Sequence, residues 1–352
     1  MKNKYLLLLS LSVSVSLAQI PAGYYNTANG LTGANLKTAL HNIIKGNASI
    51  TYAQIWTSYD STDVRNGNEI WDIYSDLPGG TPPYTYTYST NQCGNYNSEA
   101  DCYNREHSWP ESWFNGVAGP YTDLFHIYPT DGWVNNKRGN YPYGEVSAPT
   151  YTSLNGGKLG PNTSTGYSQT VFEPINEYKG DLARGYFYMS TRYMTEDAAW
   201  DSSDAVTKSL IKPWAVCLLL KWHHQDLVSA KEINRNNAIY KIQNNRNPFI
   251  DHPEYADSIF TCALTGINNI TASQIKLSIF PNPANDKVTI LFSKNILQAT
   301  ITLSNYIGQE IISQQIENVN SLQLNVSNLA KGMYIIKIAS GNYTTQQKLL
   351  ID

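Results

Sequence analysis

The stretch from Tyr103 to Tyr141, YNREHSWPESWFNGVAGPYTDLFHIYPTDGWVNNKRGNY, decides how this chain is read. It gathers Glu106, His107, Asn135, Lys137 and Arg138 into one short segment. Residues Arg105 to Trp109 alternate as in a strand, and Pro110 ends it. A loop with Gly116, Gly119 and Pro120 follows, then an apolar-edged return, DLFHIYP. After Pro129, either Thr130 or Asp131 is a good N-cap for a short helix through Trp133 and Val134. A strand, a return and a capped helix bring Glu106, His107 and Asn135 close together.

That set suits one kind of chemistry. A histidine with an ordinary pKa of about 6.5 is largely neutral at neutral pH and can take a proton from water. A carboxylate and an amide oxygen can hold one hard divalent ion while leaving its other positions to water and substrate. Such an ion stabilises charge on a phosphorane and on the oxygen leaving it. The constellation points to metal-assisted phosphodiester hydrolysis.

REHSWP followed by TDLFHIYPTDGWVNNKRGNYPYGEV resembles the bacterial endonuclease I family of secreted nucleases, which carry the ββα-metal (His-Me finger) site. The resemblance extends to YYNTANGLTGANLKTALHNII near the start, WDIYS at 71–75, KGDLARGYFYMSTRY at 179–193 and NRNNAIYKIQNNRNPFIDHPEY at 234–255. It covers roughly residues 22–262. By that resemblance His107 is the general base, while Glu106 and Asn135 are the metal ligands. The resemblance implies endonucleolytic cleavage of DNA, with RNA as a second substrate, leaving 5′-phosphate ends. Mg²⁺ is the implied ion, and Ca²⁺ or Mn²⁺ fits the same oxygen ligands.

The 352 residues leave room for two domains, and 41% hydrophobic content supports a substantial core. Met1 to Ala18 has a basic start at Lys2 and Lys4, a short apolar run and a small-residue end at Ser16-Leu17-Ala18. These features predict a secretory signal with Gln19 as the mature start, and the apolar run is too short for a membrane anchor. Four cysteines then suit disulfides in an oxidising compartment. A local bridge between Cys93 and Cys102 pins the loop before the strand, which leaves Cys217 to pair with Cys262. Four cysteines allow three pairings, however, and zinc competes without any CxxC or HExxH spacing to support it.

The formal charge is −3 over the whole chain. Setting aside eight lysines in the leader and beyond residue 265, and four carboxylates beyond 265, leaves about −7 on residues 19–265. Nucleic acid must therefore be bound through a local basic patch, for which Lys137, Arg138, Lys179, Arg184 and Arg192 are candidates. Characterised relatives place an arginine between the catalytic histidine and the asparagine, where it steadies the cleaved phosphate. This chain has none between Ser108 and Val134. Arg184 and Arg138 are the two replacements considered. Arg184 is preferred as catalytic because it sits early in a helix, where the dipole disfavours a cation unless an anionic partner is present. Arg138, with Lys137, is then assigned to nucleic-acid binding.

Elsewhere, Leu31 to Lys45 reads as an amphipathic helix, Tyr84 to Tyr88 as a strand and residues 145–170 as a loop region. Asp60, Asp63 and Asp72 read as surface turn and cap carboxylates. Asp181 to Thr195 and Lys212 to Ala230 read as helices, the first with a core aromatic stripe. His126 lies near the site and is read as orienting its neighbours, while His223 and His224 are read as structural or surface residues. A linker at 266–273 leads into residues 274–352, whose short β runs predict a small sandwich. LSIFPNPANDKVTI and GMYIIKI there resemble the C-terminal sorting domain of the Bacteroidetes type IX secretion system.

The expected whole is α+β: a signal at 1–18, a ββα-metal nuclease domain at 19–265, the linker and a small all-β sandwich. The expected protein is extracellular and monomeric, with no membrane span, and its partners are DNA, RNA and the type IX machinery. The rival expectation is an extracellular adhesion or glycan-binding protein on a degenerate nuclease fold.

Overall fold

The computed structural model describes residues 20–263, 277–305, 309–340 and 343–352. The expected signal segment at 1–18 and linker at 266–273 lie outside them. The chain divides into two compact units, one within residues 1–264 and the other within 265–352.

In the first unit, α1 (Gly33–Ile44) buries Leu36, Leu40 and Ile44 on the face its apolar spacing predicts. Next, α2 (Tyr52–Thr62) opens with a capping box. Thr51 Oγ1 accepts from the Gln54 N–H at 3.2 Å, and Gln54 Oε1 accepts from the Thr51 N–H at 2.7 Å. This cap fixes the entry of α2 and so the position of Tyr52, which matters below.

The decisive segment folds as β1 (Tyr103–His107), β2 (Ile127–Asp131) and α3 (Gly132–Arg138). β1 and β2 pair antiparallel, with Glu106 opposite Tyr128 and Arg105 opposite Pro129. Pro129 is tolerated because this two-stranded sheet consists only of edges. Asp131 ends β2 and caps α3 by accepting from the Val134 N–H at 2.8 Å. The strand therefore passes into the helix without a loop, and Asn135 is delivered back toward β1.

Several expectations are corrected. Residues 145–170 are not a plain loop: β3 (Tyr151–Thr152), β4 (Lys158–Pro161) and β5 (Thr170–Glu173) form a small antiparallel sheet. Tyr84 to Tyr88 is no strand and makes one bridge, Thr87 to Glu69. Its tyrosine hydroxyls go to carboxylates instead, Tyr84 to Glu99 and Tyr86 to Asp131. Asp63 and Asp72 are buried rather than superficial. Asp63 pairs with Arg235 at 2.9 Å, and Asp72 accepts from the Asp131 N–H at 2.8 Å.

Behind the site lie α4 (Lys179–Arg192), α5 (Pro213–Gln225) and α6 (Ala230–Gln243). Every residue of α4 is buried, so its aromatic stripe is core. Both expected disulfides are present, Cys93 with Cys102 and Cys217 with Cys262.

The second unit is all β, as expected. It comprises β6 (Leu277–Phe280), β7 (Lys287–Asn305), β8 (Glu310–Asn325), β9 (Gly332–Ser340) and β10 (Tyr343–Ile351). The strand ladders are antiparallel: β8 runs along β7 from Lys287 to Ser304, while β6 pairs with the first part of β7 and β9 with its last. A register shift between Leu291 and Ile296 bends β7, which lets the sheet fold over a core that includes Ile290, Ile301 and Ile336.

Candidate active site

Alternation along β1 sorts its side chains to two faces. Asn104 and Glu106 face α3, while Arg105 and His107 face Tyr52 of α2. The site is built at this boundary.

Glu106 is 2% exposed. Its Oε1 accepts from Arg138 Nη1 at 2.8 Å and from the Tyr74 hydroxyl at 2.9 Å. Its Oε2 has no donor among the described residues. Burial pushes the carboxyl up to about 7, against the pull of Arg138 and Tyr74. A cation at Oε2 would favour the ionised form.

Asn135 is half-buried and donates Nδ2 to Asn104 Oδ1 at 2.8 Å. That bond fixes which way the amide points, so the Asn135 Oδ1 remains an available acceptor. Among the described residues no group of three or more His, Cys, Asp and Glu is arranged to hold a metal. One carboxylate oxygen and one amide oxygen are what the fold offers, a hard and incomplete set that suits a cation retaining water.

His107 is 7% exposed. Its Nε2 lies 3.1 Å from the Tyr121 carbonyl oxygen, which can only accept, so Nε2 carries the proton and Nδ1 carries a lone pair. Burial, reinforced by neighbouring His126, lowers its pKa to about 3. The ring is therefore neutral at neutral pH, with its Nδ1 lone pair unprotonated. Tyr52 and Tyr121 both stack near it, with centroids at 6.2 and 5.4 Å. His126 is fully buried, lies 5.4 Å from the His107 ring and points Nε2 at the Pro120 carbonyl oxygen at 2.6 Å. It packs against the His107 ring and is itself closed off from solvent.

The arginine assignments need correction. Arg138, expected to bind nucleic acid, is 1% exposed. Besides Glu106 it bonds the carbonyl oxygens of His107 at 2.9 Å and Ser108 at 2.6 Å. It is a positioning residue that locks the end of β1 to α3. Arg184, expected to steady the phosphate, has no exposure at all. Its guanidinium holds both oxygens of Glu232 and the Asp226 carbonyl oxygen, with Asp181 3.7 Å away. The anionic partner inferred from its early helical position is this internal carboxylate cluster.

The rest of the proposed basic patch also dissolves. Lys179 is buried on Glu173 at 2.7 Å, and Arg192 pairs with Glu196 at 2.6 Å. Lys137 has no carboxylate partner among the described residues and lies 4.6 Å over the Trp133 ring. Two positions along α3 turn it about 200° from Asn135. His223 is buried and His224 pairs with Asp257 at the surface, both far in role from the site.

Residues 32–254 match the family model of endonuclease I. The chain belongs to the endonuclease I family. Curated relatives agree with this. The chain is 38% identical over 246 residues to an extracellular ribonuclease of Bacillus amyloliquefaciens, covering 67% of this chain and 78% of the relative. An extracellular ribonuclease of Bacillus subtilis (strain 168) is 36% identical over 245 residues, with the same coverage. A periplasmic deoxyribonuclease of Aeromonas hydrophila is 28% identical over 138 residues, covering 39% of this chain and 49% of that protein. As an endonuclease I nuclease this protein is a phosphodiester hydrolase, which displaces the adhesion reading. Residues 278–352 match the secretion system C-terminal sorting domain, so the nuclease is exported. Among the described residues no helix is long and apolar enough to cross a membrane.

Sequence reasoning overlooked Asn104, Tyr74, Tyr52 and Tyr121 as neighbours of the site. Asn104 was within reach, because alternation puts it beside Glu106. It supplies a test. In N104A the Asn135 amide loses its orienting acceptor, and Mg²⁺ affinity measured by calorimetric titration is expected to fall about tenfold or more. The thermal midpoint should change little. Wild-type affinity in N104A would show that Asn135 is held by something else.

Proposed function

We propose that this endonuclease I nuclease cleaves both RNA and DNA with water as the nucleophile, leaving 5′-phosphate ends. The observation that supports the reading is His107, whose Nε2–H meets the Tyr121 carbonyl and leaves a lone pair on Nδ1, next in the strand to Glu106, whose Oε2 has no donor among the described residues, with Asn135 held to the same strand through Asn104. His107 Nδ1 takes the proton of the attacking water, while the Tyr121 carbonyl keeps the ring in the required tautomer. Arg138 and Tyr74 hold Glu106, and Asn104 holds Asn135, which leaves Glu106 Oε2 and Asn135 Oδ1 as the acceptors assigned to a cation. A divalent cation bound there, Mg²⁺ or alternatively Ca²⁺ or Mn²⁺, would offset charge on the phosphate and the leaving oxygen.

Water as nucleophile makes the sugar 2′-hydroxyl dispensable, which fits a family whose relatives here are named both ribonuclease and deoxyribonuclease. End analysis of RNA and DNA fragments tests this. The expected products carry 5′-phosphates from both polymers. Cyclic 2′,3′-phosphates from RNA, with DNA uncut, would contradict it. We further propose that residues 1–18 are a signal, that 266–273 link the two units and that the enzyme acts as a monomer. On this reading the sorting domain engages the type IX machinery and takes no part in cleavage.

A further inference from the structure

We propose that Arg105 steadies the scissile phosphate beside His107; the inference rests on the nuclease reading above. Charge builds on the non-bridging oxygens during phosphodiester hydrolysis, so a preorganised cation near the base lowers the barrier. Lys137 is turned away from Asn135 on α3, and the chain has only seven arginines to supply that cation, at 65, 105, 138, 184, 192, 235 and 246. Six are paired with carboxylates, on Glu69 and Asp76, Glu106, Glu232, Glu196, Asp63 and Asp251 respectively. Among the described residues Arg105 alone has no carboxylate partner. Its one hydrogen bond runs from Nη1 to the Tyr52 carbonyl oxygen at 2.8 Å, leaving Nε and Nη2 without an acceptor among the described residues.

Placement favours a phosphate as the missing partner. Arg105 and His107 are two positions apart on the same face of β1, a separation of roughly 6.5 Å along the strand. That span matches a group whose one side meets the attacking water and whose oxygens meet a cation. The guanidinium lies 3.5 Å over the Tyr52 ring and 4.4 Å from Trp56, so its plane is held while donors at its edge stay free. Tyr52 also stacks with the His107 ring at an interplanar angle of 11°, and thus ties the cation and the base to one platform. Arg105 is half-buried, which reduces screening without closing access. A planar fork of two parallel donors is the geometry that phosphate oxygens accept.

The test replaces Arg105 by Met, which keeps the aliphatic packing over Tyr52 and removes the charge. At saturating RNA, kcat of R105M is expected to fall by about a hundredfold. Loss of the Tyr52 hydrogen bond and the ring contacts should lower the thermal midpoint somewhat, Mg²⁺ affinity should stay at the wild-type value, and R105K should recover part of the lost rate. A role confined to pinning α2 on β1 would lower the midpoint and leave kcat at saturation unmoved. If R105M does not fold, R105Q is measured in the same way. Wild-type kcat in either folded variant overturns the assignment alone. A wild-type protein that cuts neither RNA nor DNA overturns it together with the nuclease reading.

Discussion

H107A is expected to hydrolyse RNA and DNA about a hundredfold to ten-thousandfold more slowly than the wild type, while binding Mg²⁺ with unchanged affinity. The separation follows from geometry. His107 turns its protonated Nε2 to the Tyr121 carbonyl and leaves Nδ1 for water, whereas the two oxygens available to a cation belong to Glu106 and Asn135. Removing the imidazole takes away the proton acceptor and nothing from the metal set. Burial holds the ring neutral, so H107A removes no buried charge from the fold. Single-turnover cleavage at saturating metal, run beside calorimetric titration, checks both halves. Parallel loss of metal affinity would mean that His107 is a ligand rather than the base.

R138M is expected to lose about 3–5 kcal/mol of stability, read by chemical denaturation, because it strands a buried carboxylate. Arg138 Nη1 bonds Glu106 Oε1, and the same guanidinium holds the carbonyl oxygens of His107 and Ser108. With the cation gone, Glu106 keeps only the Tyr74 hydroxyl and its carboxyl shifts further toward the neutral form. Metal affinity should therefore drop as well. Adding E106Q to R138M removes the buried charge and should restore part of the stability, though not the metal site. Were Arg138 a nucleic-acid contact, R138M would keep its stability and raise KM alone.

The local placement of Glu106, His107 and Asn135 was legible in sequence because short-range rules set it. Alternation along β1, Pro110 at its end and the Asp131 cap need no distant partner. The Cys93–Cys102 bridge was readable for the same reason. Arginine roles were not, since they depend on which carboxylate arrives from elsewhere. Arg184 meets Glu232, forty-eight residues away, and Arg235 meets Asp63, at a separation of 172. The dipole argument at Arg184 correctly called for an anion but could not distinguish an internal carboxylate from a substrate. Residues 151–173 were missed because strands of two to four residues carry too little periodicity. Tyr84 to Tyr88 misled in the opposite direction. Its alternation is real, yet the hydroxyls that alternate are used on Glu99 and Asp131 rather than on a sheet surface.

The claim that hydrolysis depends on a cation held by Glu106 and Asn135 is tested most directly by chelation and replenishment. Wild type, H107A and E106A are stripped with EDTA and titrated with Mg²⁺ by calorimetry, and cleavage of RNA and DNA is followed at each step. The predicted result is a wild type that stops on stripping and recovers with Mg²⁺, an H107A that binds without cutting, and an E106A that does neither. Cleavage that persists in the stripped wild type, or E106A binding Mg²⁺ as tightly as the wild type, would contradict the account.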